Sequence, residues 1–312
     1  MSDLRVLVLA GGLSHEREVS LRSGRRVADA LRGADVQVDV RDADPTLLGA
    51  LAGPHDAVVI ALHGGAGEDG ALREVLELAG APYVGSGPDA CRLAWDKPTA
   101  KALLRRARLP TPRSVVLPHD TFRELGASAV LRRIVATLGL PLMVKPARGG
   151  SALGATVVTE ASELPAAMVA CFSYGEAALV EQLVVGREVA VTVVDVGDGP
   201  FALPAVEVCP LSGVYDYAAR YTAGSTEFYA PARLEEQEAA TTAEVAVAVH
   251  RALGLRDLSR VDMVVADGVP QVLEVNVAPG MTETSLLPMA VEAADLSLGI
   301  LLRDLAVVAA GR

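Results

Sequence analysis

In the first third of the chain, short apolar runs alternate with amphipathic stretches. Residues 6–9, 36–40 and 57–62 read as strands, and residues 20–31 and 71–79 as helices. Strands separated by helices in this way predict an α/β fold built on a parallel sheet. The pattern shifts after Gly85-Ser86-Gly87-Pro88. A helix is expected from Asp96-Lys97-Pro98 to about Ala107, closed by Leu109-Pro110 and Thr111-Pro112. Beyond it, strands are expected around Val115, Met143 and Val157 and over 178–181, with a helix over 164–172. From Glu188 longer strands take over with one clear helix, 237–253, whose Val245, Val249 and Leu253 share a face. The expected organisation is three units, 1–96, 97–186 and 187–312, with the C-terminal part α+β in character.

A length of 312 residues suits two or three compact domains. Mean hydropathy is positive at +0.35, yet Arg303 and Asp304 interrupt the longest apolar C-terminal run, and no stretch reaches membrane-spanning length. The first residues lead straight into a strand without the regions of a signal peptide, so a cytoplasmic protein is expected. Cys91, Cys171 and Cys209 are far apart and lack CxxC spacing, which supports neither a disulfide framework nor a zinc site. A formal net charge of −11 argues against a nucleic-acid partner, which requires a basic face.

The sharpest chemical signal is Arg260-Val261-Asp262, followed by Ala266-Asp267-Gly268 and Glu274-Val275-Asn276. Glu274 and Asn276 project from one face of a strand. A three-residue hairpin loop, 266–268, places Asp262 on that same face. Two carboxylates and an amide then converge beside an arginine, an oxygen-only set suited to magnesium shared with nucleotide phosphates. The acids interrupt apolar stretches, where an isolated buried charge would be costly, so a solvated hairpin face is the weaker reading.

A second signal is the apolar strand ending at Lys145, followed by Gly149-Gly150-Ser151 and Gly154. Backbone N–H groups and one cation there could receive a polyphosphate, although the lysine precedes the glycines and the motif is not a Walker loop. A flexible surface hairpin has the same composition. Lys97, at a helix start, opposes the helix dipole unless an anion lies between them. The segment 180–188 could lay its backbone along an adenine edge and offer Glu188 to a ribose, or be a plain interdomain crossover. Gly11-Gly12 lacks the dinucleotide GxGxxG spacing. His63 ends a strand, where α/β sites lie, though a structural histidine fits equally well.

In order, His15-Glu16-Arg17-Glu18-Val19-Ser20, Ala61-Leu62-His63-Gly64, Gly67-Glu68-Asp69-Gly70, Pro82-Tyr83-Val84-Gly85-Ser86-Gly87, Asp96-Lys97, Val144-Lys145-Pro146, Tyr215-Asp216-Tyr217, Glu274-Val275-Asn276, Pro279-Gly280-Met281-Thr282 and Ser285-Leu286 resemble the D-alanine–D-alanine ligases of the ATP-grasp superfamily. The resemblance runs over essentially the whole chain. It implies an ATP-grasp fold preceded by a Rossmann-like parallel-sheet domain, and a homodimer. The implied activity begins with ATP phosphorylating the carboxylate of one D-alanine, and the amine of a second then attacks the acylphosphate, in service of peptidoglycan precursor synthesis. By position it assigns Lys97, Lys145, Gly150, Ser151 and Arg220 to phosphates and Glu181, Leu183 and Glu188 to adenosine. Asp262, Glu274 and Asn276 go to two magnesium ions, for which manganese could substitute. Glu16 would take the first ammonium group, with His63 beside the substrates, and Ser285 and Leu286 the second carboxylate. Arg260 and the Gly280 N–H would stabilise the oxyanion, and Tyr221 would close a lid bonded to Ser151 and Glu16.

Departures from the commonest pattern are Gly149 for glutamate, Ala152 for serine and Arg220 for lysine, with Val277-Ala278 and Glu283-Thr284 near the second-substrate site also differing. Two rival readings follow: a ligase with another acceptor, such as D-lactate, D-serine or a natural-product amino acid, and a non-catalytic nucleotide-binding module of the same fold.

Overall fold

The structure, a computed structural model, describes residues 4–213, 215, 219–220, 222 and 224–312. Its first sheet is parallel, in the order β2-β1-β3-β4, from β1 (Arg5–Leu9), β2 (Gln37–Arg41), β3 (Ala57–Ile60) and β4 (Tyr83–Val84). Alternation along β1 divides the core. Val6 and Val8 pack on the side of α1 (Arg17–Arg32), whereas Leu7 and Leu9 pack with Leu47 of α2 (Leu47–Leu51) and with Leu72 and Leu76 of α3 (Ala71–Leu78). Helix α1 starts three residues before the apolar periodicity does, because Arg17 and Glu18 are polar and leave no apolar signal.

Helix α4 (Pro88–Trp95) runs into α5 (Lys97–Arg106). Asp96 caps α5 by accepting the Thr99 N–H at 3.0 Å. Ala100 and Leu104 of α5 join Ala90, Cys91 and Ala94 of α4 in a core shared with the C-terminal sheet.

The middle sheet is antiparallel, ordered β5-β8-β6-β7, from β5 (Ser114–Pro118), β6 (Leu142–Pro146), β7 (Thr156–Val158) and β8 (Ala177–Gln182). With α6 (His119–Leu125), α7 (Ala127–Leu138) and α8 (Leu164–Phe172) it encloses a separate core that includes Leu142, Val144, Leu164, Met168 and Val180.

The last sheet is ordered β12-β11-β9-β13-β14, with β10 paired to β9, and is antiparallel throughout. Its strands are β9 (Arg187–Val194), β10 (Phe201–Ala202), β11 (Val206–Pro210), β12 (Thr226–Tyr229), β13 (Leu258–Ala266) and β14 (Val269–Asn276). The expected helix is present as α9 (Glu236–Ala252). Two more follow that the pattern did not single out, α10 (Leu286–Ala293) and α11 (Leu298–Ala310). Both are apolar over most of their length, so neither shows a strong polar–apolar period. Leu301, Leu302, Leu305, Ala306 and Ala309 of α11 return to the core on the α1 side of the first sheet. Gly299 lies so close to the Ala30 carbonyl of α1 that a Cβ there would overlap it.

The β13–β14 hairpin corrects one expectation. Its loop is two residues, Asp267-Gly268, because Ala266 pairs with Val269. Both loop residues have positive φ, 49° and 75°, which suits a tight hairpin turn. By parity alone this loop would turn Asp262 away from Glu274. A β-bulge restores it: Met263 pairs with Val272 and Asp262 with Glu274, so Leu273 is the extra residue on β14. Asp262 and Glu274 therefore share a face by a different route from the one expected.

Candidate active site

Two cavities, of about 430 Å³ and about 300 Å³, adjoin where the sheets meet. Lys97, Gly149, Gly150, Tyr215, Arg220 and Glu274 line both. The smaller cavity takes its walls from the middle and C-terminal sheets and reaches Lys145, Glu181, Leu183, Glu188 and Asp262. The larger reaches Glu16, His63, Ser151, Arg260, Asn276, Gly280, Ser285 and Leu286. All the described residues singled out from the sequence thus fall in one continuous cleft. Tyr221 lies outside the described residues, as do Asp216 and Tyr217.

In the smaller cavity, strand pairing brings Lys145 of β6 to β8, where its Nζ lies 2.6 Å from Glu181 Oε1. Burial opposes the Lys145 charge, but Glu181, Glu274 and Glu188 outweigh it and raise the pKa. Burial raises Glu188 to about 7, with Asp262 and Glu274 adding to the shift against Arg220. The Leu183 N–H is bound to the Pro141 carbonyl at 3.1 Å, so that donor is engaged within the protein.

At the junction, Lys97 Nζ donates to the Gly149 carbonyl at 2.6 Å and lies 3.5 Å from Glu274 Oε2. Burial would raise the Glu274 carboxyl, yet Lys97, Lys145, Arg220 and Arg260 hold it at about 2. Arg220 lies over the Tyr215 ring, 4.3 Å from its centroid. Gly149, Ser151 and Ala152 all have positive φ, a costly conformation for the last two that is typical of functional loops. Arg260 Nε and Nη2 donate to the two Asp262 oxygens at 2.6 and 2.7 Å, and Asn276 Oδ1 accepts the Ala278 N–H at 2.8 Å.

In the larger cavity, the Ser151 hydroxyl donates to Glu16 Oε1, joining the glycine-rich loop to the start of α1. His63 is buried and uses both ring nitrogens: Nδ1 bonds the Ala278 carbonyl at 3.1 Å and Nε2 bonds the Ser23 hydroxyl at 2.8 Å. Ser23 Oγ also accepts the Met281 N–H at 3.2 Å, so this chain holds the 278–281 turn against α1. Burial lowers the His63 pKa and keeps the ring neutral. Ser285 Oγ accepts the Thr282 N–H at 3.0 Å and sits at the start of α10.

Three contributors were given no role in the sequence reading. Lys101, one helical turn beyond Lys97, places Nζ 2.7 Å from Glu181 Oε2; that four-residue spacing on a helix was the available signal. Glu68 accepts the Gly64 N–H at 2.9 Å beside the larger cavity, and burial raises its carboxyl to about 7, with Glu16 adding to the shift. Ser23 has no local signal, because its partners are far away in sequence. Among the described residues no three His, Cys, Asp or Glu side chains form a metal cluster, and no helix is long and apolar enough to cross a membrane.

A family profile described as the D-ala D-ala ligase C-terminus matches residues 103–306. A D-alanine–D-alanine ligase of Anaeromyxobacter sp. (strain K) is 42% identical over 286 residues, covering 91% of this chain and 90% of that protein. A solved D-alanine–D-alanine ligase from Bacillus anthracis, complexed with ATP, superposes with a TM-score of 0.81 at 28% identity, covering 99% of this chain and 98% of the other. The VanG D-Ala:D-Ser ligase from Enterococcus faecalis superposes with a TM-score of 0.85 at 29% identity, covering 99% and 100%.

Proposed function

The chain belongs to the D-alanine–D-alanine ligase family, and on that premise we propose that it joins two D-alanines at the expense of ATP, the smaller cavity taking the nucleotide and the larger the amino acids. The observation that carries this reading is the shared boundary of the cavities. Lys97, Gly149, Gly150, Arg220 and Glu274 face both sides, which is where a terminal phosphate and a substrate carboxylate must meet.

In this reading a carboxylate oxygen of the first D-alanine attacks the terminal phosphorus of ATP, and the bond to ADP breaks. The amine of the second D-alanine then attacks the acyl carbon, inorganic phosphate leaves, and the amine gives up a proton. Glu16, held by Ser151, receives the first ammonium group. Lys97, Lys145, Arg220 and the N–H groups of the 149–151 loop receive phosphates. Glu181, Leu183 and Glu188 border adenosine, and Ser285 and Leu286 the second carboxylate. Arg260, fixed by Asp262, and the Gly280 N–H meet the developing oxyanion. His63 acts through the 278–281 turn, and Tyr221 closes over the acceptor.

Asp262, Glu274 and Asn276 form an all-oxygen set on one side of the hairpin, which fits magnesium or manganese held jointly with phosphates. When bound, such ions neutralise charge on the transferring phosphoryl group. The units 1–96, 97–186 and 187–312, a cytoplasmic location and a homodimer belong to the same proposal. The deciding experiment is an acceptor panel of D- and L-amino acids and D-lactate assayed for phosphate release, with products identified by mass. D-alanyl-D-alanine as the main product supports the reading, and a D-alanyl-D-serine product or phosphate-silent binding of ATP overturns it.

A further inference from the structure

Lys101 is a buried cation, 2% exposed, that lines neither cavity. From α5 it reaches three other parts of the chain. Its Nζ pairs with Glu181 Oε2 of β8 at 2.7 Å, donates to Thr111 Oγ1 at 2.7 Å, and lies 3.5 Å from the Val272 carbonyl of β14. The Thr111 hydroxyl donates to that same carbonyl at 2.8 Å. Glu181 Oε1 takes Lys145 at 2.6 Å, so one buried carboxylate holds two ammonium groups.

Glu274 and Glu188 also attract Lys145, but among the described residues Glu181 is the only carboxylate in contact with Lys101, so the two ammonium groups share it at the cost of facing each other in an enclosed site. Burial, followed by the like charge of Lys145, pulls Lys101 down to about 8 in spite of Glu181. The arrangement makes sense if one lysine has to leave. Lys145 opens onto the smaller cavity, whereas Lys101 does not. With Lys145 as its only partner, Glu181 would be stranded as a buried unpaired charge whenever Lys145 turned to a phosphate, which is heavily penalised.

We infer that Lys101 is a positioning residue for nucleotide binding: it stays on Glu181 and thereby releases Lys145 to the phosphates of ATP. The inference rests on the proposed placement of phosphates at Lys145.

The test is titration of ADP with magnesium onto the full chain. Lys101→Met should weaken ADP binding at least tenfold while the KM for D-alanine stays within twofold, because Lys145 is then tied to Glu181. Adenosine, which carries no phosphate, should bind Lys101→Met within twofold of wild type, since Lys145 is not needed for it. A merely structural lysine would weaken adenosine and ADP alike. Lys101→Met binding ADP within twofold of wild type, or losing adenosine as strongly as ADP, overturns the inference. If Lys101→Met does not fold, Lys101→Gln, which keeps a hydrogen bond to Glu181 without the charge, decides by the same limits. Lys145→Met is the control. If it binds ADP normally, the phosphate placement itself is wrong and the inference falls with it. If it loses binding while Lys101→Met does not, the inference alone falls.

Discussion

Glu181, beneath the nucleotide cavity, and Glu68, in the wall of the amino-acid cavity, are the same side chain in enclosed surroundings, yet their protonation diverges. Burial pushes both carboxyls upward. Glu181 meets Lys145 and Lys101 at 2.6 and 2.7 Å, and its pKa ends below the ordinary value. Glu68 has a backbone N–H at 2.9 Å and feels the negative Glu16, and it rises to about 7. Enclosure raises the stakes, and the partners decide the sign. Glu274 falls between the two: cations hold it low as they do Glu181, but it lines both cavities and so has a charge to offer a ligand.

The largest expected effect comes from breaking the Glu181 side. Glu181→Leu leaves two buried ammonium groups facing each other and should cost about 3–5 kcal/mol of stability in urea unfolding; a loss near zero would mean that the lysines do not depend on this carboxylate. Glu274→Gln keeps the shape and removes the charge. It should lower turnover at least about a hundredfold, about 2.7 kcal/mol of transition-state stabilisation, in a protein that still folds, and near-normal dipeptide synthesis at saturating magnesium would refute its role.

Glu68→Gln tests the raised carboxyl through pH. Its folded pKa of about 7 exceeds the ordinary 4.5, so the unfolded chain ionises first. The associated stability is present below pH 4.5 and is lost as pH rises through 7. Discounted for cavity water, this should amount to roughly 2 kcal/mol in wild type relative to Glu68→Gln. A pH-independent difference between the two would show that Glu68 is ionised throughout. The smallest effect is expected from Gly64→Ala. Gly64 has φ 68° and ψ 164°, and a Cβ there would lie 2.5 Å from Glu16 Oε2. About 1–2 kcal/mol of strain should appear in unfolding, with a raised KM for D-alanine and an unchanged KM for ATP. Equal changes in both KM values would indicate that the two cavities are not independent.

Signals set by short spacing were legible in the sequence. The strand-and-helix alternation before Gly85 and the Asp96 helix start required only local pattern. The oxygen face of 262, 274 and 276 was also read correctly, but through the wrong turn, because nothing at Leu273 marks a bulge: no glycine or proline stands there, and only pairing with β13 reveals it. Glu68 was visible as part of a motif, but its protonation depends on Glu16, brought close by folding. The His63–Ser23–Met281 chain and the return of α11 to the first sheet span most of the molecule, and a periodicity read along the chain cannot register such contacts.

That return has a consequence for biosynthesis. The parallel sheet leaves the ribosome before the other two sheets, but the α1 side of its core is completed by α11, translated after every strand among the described residues. Until then the apolar residues of β1, β3 and α1 lack part of their cover, and the nascent chain carries an exposed sticky surface while the middle and C-terminal sheets are being made. The close fit of Gly299 against Ala30 is thus a late docking event, and a chain stalled before Leu298 leaves the parallel sheet unsealed and open to aggregation and to chaperones.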